Sequence, residues 1–260
     1  MAENQNILEI THLHMAFGGL MALLDVDFVV PRGVIKAIIG PNGAGKTTLF
    51  NIVTGIFPPM SGRVVFKGLE ITALKAHQIA ALGISRTFQT VELFKNMTVL
   101  ENVMVGRHTR SRKGIFSAGF RLPSMRREER DIRRHALACL DLVGLGHKAE
   151  EEAGGLPLGE QKALEVARAV ATEPELLLLD EPAAGLNETE TAAAARLFRT
   201  LRDRGITIIL VEHDMRLVMK VSEEILVLNY GRKIADGPPE EVSADQAVIK
   251  AYLGEDIEFA

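Results

Sequence analysis

Val34-Ile35-Lys36-Ala37-Ile38-Ile39-Gly40-Pro41-Asn42-Gly43-Ala44-Gly45-Lys46-Thr47 decides how the rest of the chain is read. A short, nearly all-apolar run, Val34 to Ile39, suits a strand buried on both faces. It passes directly into a glycine-rich loop, Gly40 to Thr47, that matches the phosphate-loop pattern. A helix is predicted next, with Leu49, Ile52, Val53 and Ile56 on one face. The residue types follow from the chemistry. Glycines let backbone N–H groups converge on phosphate oxygens, and a helix N-terminus adds a favourable dipole. Lys46 can reach β- and γ-phosphates, and the Thr47 hydroxyl can ligate Mg²⁺.

A second acidic signal lies downstream. Leu176 to Leu179 are four leucines followed by Asp180-Glu181. Carboxylates at a strand end stand at the edge of an open sheet, where α/β folds bind ligands. Asp180 is expected to hold Mg²⁺ through water and Glu181 to polarise an attacking water as general base. Two acids after a strand are also a common loop or helix cap, so this pair gains weight from the loop upstream.

The remaining elements alternate. Strands are predicted at Ile7–Ala16, Leu23–Val30, Arg63–Lys67, Ile84–Phe88, Glu175–Leu179, Ile206–Val211, Ile225–Leu228 and Lys233–Ala235. Helices are predicted at Thr98–Arg107, with Thr98 and Glu101 in capping-box spacing, and from Asn187 to Arg204, with Glu190 in the same spacing. Others are expected at about Ser124–Val143, Gly159–Ala171 and Ala244–Leu253. Strands alternating with helices imply an α/β core with a mostly parallel sheet. From Arg107 to His135 the chain carries ten Lys/Arg against three Asp/Glu, broken by Gly114, Gly119 and Pro123. Its second part reads as a helix with Ile132, Ala136, Leu140 and Val143 on one face and Arg126, Arg130, Arg133 and Arg134 around another. A charged stripe opposite an apolar face is ordinarily a solvated helix surface.

Composition narrows the function classes. The 260 residues suffice for one large domain with a sizeable core. The formal net charge of −4 argues against a strongly basic nucleic-acid binder. One cysteine, Cys139, allows no disulfide framework, and a cytosolic setting is expected. The polar start, Met1 to Asn6, reads as no secretory signal. Apolar runs such as Ile206–Val211 are too short to cross a bilayer.

With both acidic and phosphate motifs placed, the chain resembles the ATP-binding cassette family over nearly its whole length. Gln89 stands where the family has its Q-loop glutamine, which contacts the metal and the attacking water. Leu156-Pro157-Leu158-Gly159-Glu160-Gln161 stands at the signature, usually Leu-Ser-Gly-Gly-Gln. Ala184-Gly185-Leu186-Asn187 matches the D-loop, and His213 in Val211-Glu212-His213-Asp214 the switch histidine. Phe17, 29 residues before Lys46, resembles the aromatic that stacks on adenine. The resemblance implies a P-loop NTPase core with an antiparallel β subdomain and a helical subdomain. It would be one cassette domain over 1–260, with its core at about 1–90 and 173–260 and the helical part at about 91–172. It further implies ATP and Mg²⁺ as ligands. Gly40 to Thr47 with Thr48, Phe17, Pro157, Gly159 and Glu160 would contact nucleotide. Thr47, Gln89 and Asp180 would serve the metal, and Glu181, His213 and Gln89 catalysis.

Finer features resemble the larger ATPase subunit (LivG type) of branched-chain amino-acid importers. They are Phe17-Gly18-Gly19-Leu20, Arg86-Thr87-Phe88-Gln89, Glu212-His213-Asp214-Met215, the end Ala251-Tyr252-Leu253-Gly254-Glu255, and the basic insertion after Gly106. Importers of urea or amides share much of this pattern. An exporter ATPase, and a soluble cassette acting on DNA or ribosomes, remain alternative readings. The implied partners are a second cassette, identical or sister, two transmembrane permease subunits and, indirectly, a solute-binding protein, at the cytoplasmic face of the inner membrane. No nucleic acid is expected. Leu93, Phe94 and Met97 are expected to line the groove that receives a permease helix. The signature departs from the family at Pro157, which offers neither hydroxyl nor N–H, so the ATP site it completes is expected to be weakened.

Overall fold

The computed structural model describes residues 5–108 and 123–253, with side chains for 5–107 and 129–252. Gly114, Gly119, the Arg126 side chain and the end Gly254-Glu255 lie outside those residues.

Two sheets organise the fold. Strands β1 (Asn6–Phe17), β2 (Leu20–Pro31), β4 (Ser61–Phe66) and β5 (Leu69–Glu70) form an antiparallel sheet in the order β2-β1-β4-β5. The second sheet runs β10-β9-β3-β8-β7-β6, from β3 (Ile35–Ile39), β6 (Ile84–Arg86), β7 (Leu176–Asp180), β8 (Thr207–Val211), β9 (Glu224–Asn229) and β10 (Arg232–Gly237). All its pairings are parallel except β9 with β10. The helices are α1 (Lys46–Val53), α2 (Ala76–Leu82), α3 (Val99–His108), α4 (Pro123–Leu142), α5 (Leu158–Val170), α6 (Glu188–Asp203), α7 (Met215–Val221), α8 (Pro239–Ala244) and α9 (Gln246–Leu253).

The parallel strands are apolar throughout because both faces are covered. In β7, Leu177 and Leu179 face a core built with α3 to α6. Leu176 and Leu178 face the core shared with the antiparallel sheet and α1. In β8, Ile208 and Leu210 alternate with Ile209 and Val211 in the same way. The helices α3, α4 and α5 pack through Val99, Val103, Ala136, Leu140, Leu164 and Ala167.

Several sequence expectations need correcting. Helix α1 stops at Val53, so Ile56 falls outside it and is half exposed. The Thr54 hydroxyl donates to the Phe50 carbonyl, and Gly55 follows at φ 68°, a left-handed stop. Strand β6 ends at Arg86, two residues early, because Thr87 and Phe88 turn toward β7 and α5. Short helices α2, α7 and α8 carry no long apolar period and are not among the predicted elements, whereas the expected C-terminal helix forms as α9, beginning at Gln246 after Asp245. Both capping boxes form, at Thr98–Glu101 and Asn187–Glu190.

A buried cation closes the seam between the sheets. Lys36, the second residue of β3, is 1% exposed. Its ammonium donates to the Val29 carbonyl at 3.0 Å, to Glu224 at 2.9 Å and to Asp236 at 2.6 Å. Strands β2, β3, β9 and β10 thus meet on one charge. All three donors of the ammonium are used, which is what makes its burial tolerable. Lys36→Met keeps the stem but strands two carboxylates. It is expected to lower unfolding stability by about 3 kcal/mol. Chemical denaturation measures this, and a change under about 1 kcal/mol would rule out the seam role.

Candidate functional site

The phosphate loop connects β3 to α1. Gly45, at φ 103°, precedes α1, and no side chain caps that helix. Its first-turn N–H groups therefore face the loop. A Cβ at Gly45 would sit 2.5 Å from the Ala22 carbonyl of β2, so only glycine lets the loop press against the antiparallel sheet. Lys46 is buried, and its ammonium donates to the Gly40 and Pro41 carbonyls at 2.6 and 2.9 Å. Asn42, Gly43 and Thr47 are exposed, Thr48 partly so, and Ala44 buried. Uncapped N–H groups, left-handed glycines and a lysine suit a phosphate chain.

Two strands away, β7 ends on the acidic pair. The Asp180 side chain is 3% exposed and pairs with Arg86 at 2.7 Å. The same guanidinium donates to Asn51 on α1 at 2.6 Å, and its Nε is buried without a partner. Sequence reading expected Asp180 to serve a metal only. The structure adds Arg86 as a tie between β6, β7 and the helix behind the phosphate loop. Thr47, Gln89 and Asp180 supply hydroxyl, amide and carboxylate oxygens, a donor set suited to Mg²⁺. When bound, that ion would neutralise charge on a triphosphate.

Glu181 adopts φ 49°, a left-handed conformation for a non-glycine residue. Its N–H donates to the Val211 carbonyl at 2.9 Å, and its own carbonyl accepts from the Lys162 ammonium at 2.7 Å. The turned backbone aims the carboxylate back across the strand end. There Gln89 Nε2 donates to one oxygen at 3.1 Å, and His213 Nε2 lies 3.0 Å from the other. Three residues that the sequence places far apart, 89, 181 and 213, meet on one carboxylate.

Glu212, 3% exposed, anchors this edge by accepting from the Ala183 and His213 N–H groups at 2.6 and 3.0 Å. Burial pushes its carboxyl above the usual range, and burial likewise pulls the Lys162 ammonium down. Neither residue was singled out from sequence. The available signal was charge inside apolar runs, at Ile206–Glu212 and along α5.

Phe17 ends β1, half exposed, with its ring 5.4 Å from Phe57 in an edge-on pair. The following β2 residues Ala22 and Leu23 are those pressed on Gly45, so the hairpin flanks the phosphate loop. Pro157 is the N-cap of α5 rather than its first residue, and Leu158 and Gly159 follow. Leu158 lies against Gly185, and Gly159 against the Glu190 carboxylate, so the signature segment packs beside the D-loop and α6. The Lys148 ammonium holds both Glu160 oxygens, at 2.7 and 2.6 Å. Phe94 is half exposed, whereas Leu93 packs against the helical core and Met97 is partly buried.

Comparison with known proteins agrees with this arrangement. Residues 23–184 match the family described as "ABC transporter", and residues 232–258 match "Branched-chain amino acid ATP-binding cassette transporter". The chain is 46% identical over 250 residues to the high-affinity branched-chain amino acid transport ATP-binding protein BraF of Pseudomonas aeruginosa, covering 96% of this chain and 98% of that one. It is 44% identical over 253 residues to LivG of Escherichia coli K12, another high-affinity branched-chain amino acid transport ATP-binding protein, covering 97% and 99%. Among solved structures, a nucleotide-free ATP-binding cassette from an ABC transporter superposes with a TM-score of 0.84 at 32% identity, covering 95% of this chain and 98% of that one. By these matches, and by the fold and motifs they span, the chain belongs to the ABC transporter family as an ATP-binding cassette.

Proposed function

We propose that this chain is the ATP-hydrolysing subunit of an importer for branched-chain amino acids. The observation that carries the chemistry is the convergence of Gln89 and His213 on the two oxygens of Glu181. The solute assignment is supported by the C-terminal match and by the names of the relatives. The whole of 1–260 is one cassette domain, with a core at about 1–90 and 173–260 and a helical subdomain at about 91–172. Two cassettes, identical or sister, pack head to tail. Each ATP lies between one P-loop and the partner's signature segment.

In hydrolysis the oxygen of water bonds to the γ-phosphorus, and the bond from that phosphorus to the β–γ bridging oxygen breaks. ADP leaves with that bond's electrons. Glu181 takes the water proton on the oxygen that Gln89 or His213 positions. Lys46 leaves its loop carbonyls for phosphate oxygens, and the α1 N–H groups hold the chain in line. His213 and Gln89 fix the carboxylate, and Phe17 stacks on the base. Gly159, Glu160 and the N-terminus of α5 face the partner's nucleotide.

Closure of the cassette pair drives two permease subunits, fed by a solute-binding protein, at the cytoplasmic face of the inner membrane. No helix among the described residues is long and apolar enough to cross a membrane, so attachment through permeases fits. The exposed Phe94, beside the partly buried Leu93 and Met97, is the contact point for a permease helix.

Four variants test this reading. Glu181→Gln keeps ATP binding but slows turnover by about a hundredfold or more, whereas Lys46→Ala weakens nucleotide binding first. Near-normal turnover by the Gln variant in the assembled transporter would remove Glu181 as the base. Phe94→Asp, at an exposed site, should leave thermal stability nearly unchanged while blocking co-purification with the permeases or uptake. Normal uptake would refute the contact. Pro157→Ser restores a hydroxyl and an N–H to the signature. It is expected to raise ATPase activity about two- to tenfold, most clearly at low ATP, by the strength of one hydrogen bond. An unchanged rate with assembly intact would show that Pro157 does not limit the site.

A further inference from the structure

Helix α5 presents three charged residues at three-residue spacing, Lys162, Glu165 and Arg168, and each ends on a backbone group of the hydrolysis site or of the loop leading to it. Lys162 holds the Glu181 carbonyl. Glu165 is 5% exposed, within an otherwise apolar stretch of α5. Its Oε1 accepts the Phe88 N–H at 3.1 Å. Arg168 donates to the Glu92 carbonyl, and its guanidinium carbon lies 6.0 Å from the centre of the Phe94 ring. Residues 88–94 have no regular secondary structure, so their N–H and C=O groups have no strand ladder to join. Glu165 and Arg168 satisfy them in complementary fashion. The acid takes the N–H just before Gln89, and the base takes a carbonyl three residues after it.

A carboxylate is costly to bury. One placed on the signature helix, with its bond spent on the N–H beside Gln89, is informative about what that helix moves. We propose that Glu165 and Arg168 are positioning residues that lock the Gln89 loop to the signature helix, so that α5 sets where Gln89 stands against Glu181. The catalytic meaning of this clamp rests on the function proposed above; the clamp itself does not. Any shift of α5 driven at Pro157 or Glu160 is carried to Gln89 through Glu165 and to the Glu181 backbone through Lys162. The same clamp reaches Phe94, through Arg168.

Amide hydrogen exchange on the full-length chain tests the clamp without nucleotide. In Glu165→Ala, protection of the Phe88 amide is expected to fall about tenfold, while the amides inside α5 and the melting temperature stay near wild type. Glu165→Gln, which keeps one acceptor oxygen, should fall between. Arg168→Gln provides a second, independently folding variant and should loosen the 92–94 end first. In the assembled transporter, Glu165→Ala should lower kcat about tenfold with the KM for ATP within about twofold. Unchanged exchange at Phe88 overturns the clamp. So does a uniform loss of protection across the chain with a lowered melting temperature, which would mark Glu165 as mere core support. Site-selective loss of protection beside a wild-type chain that hydrolyses no ATP would leave the clamp standing and sink the proposed function instead.

Discussion

The site depends on how one strand ends. Strand β7 is buried on both faces, so its backbone has little freedom until Asp180, and the reversal then falls on Glu181 in a left-handed conformation. For a side-chain-bearing residue that conformation costs roughly 1–2 kcal/mol. Bonds on either side hold it, from the Glu181 N–H to Val211 and from Lys162 to the Glu181 carbonyl. The result is a carboxylate turned toward Gln89 and His213 instead of lying along the strand. A residue forced into this turn cannot drift, which suits the role of general base proposed for it.

The same strand end is tied to its surroundings by buried charge. Arg86 pairs with Asp180 and reaches α1, linking the acidic edge to the helix of the phosphate loop. Lys162 and Glu165 link that edge to α5, and Glu212 caps it from β8. Isolated buried ion pairs contribute little net stability, because desolvation offsets attraction. Here their bonds run mainly to backbone groups of loops, so their effect is to fix loop positions. Lys36 instead ties strands together at the seam between the sheets, bonding a β2 carbonyl and carboxylates of β9 and β10.

Signature residues and hydrolysis residues belong to different parts of the chain, joined by α5. Pro157 starts that helix without a side-chain cap, and Lys148 neutralises Glu160 one turn in. A helix that begins at the signature segment and bonds along its side to Phe88, Glu92 and Glu181 is suited to act as a single rigid lever. Motion at one end need not pass through the sheet to reach the other.

Much was legible from sequence because its constraints are local. Gly40 to Thr47 must be contiguous, since one loop has to wrap one phosphate chain, and the apolar strand before it needs no knowledge of its neighbours. The Asn187 and Thr98 caps likewise act over three residues. The helices α2, α7 and α8 were missed because six or seven residues hold too little apolar period to register. Expecting α1 to reach Ile56 failed because periodicity does not see a stop made by Thr54 and Gly55. By itself, then, the sequence determined the α/β class, the phosphate loop, the acidic strand end and the family. Tertiary structure alone decided that Arg86 meets Asp180, that Lys36 joins two sheets, and that Glu165 holds the loop of Gln89. Apart from the Val29 carbonyl, seven residues from Lys36, those partners lie 77 residues or more away in sequence, and a buried charge finds its partner only where folding has removed water from both.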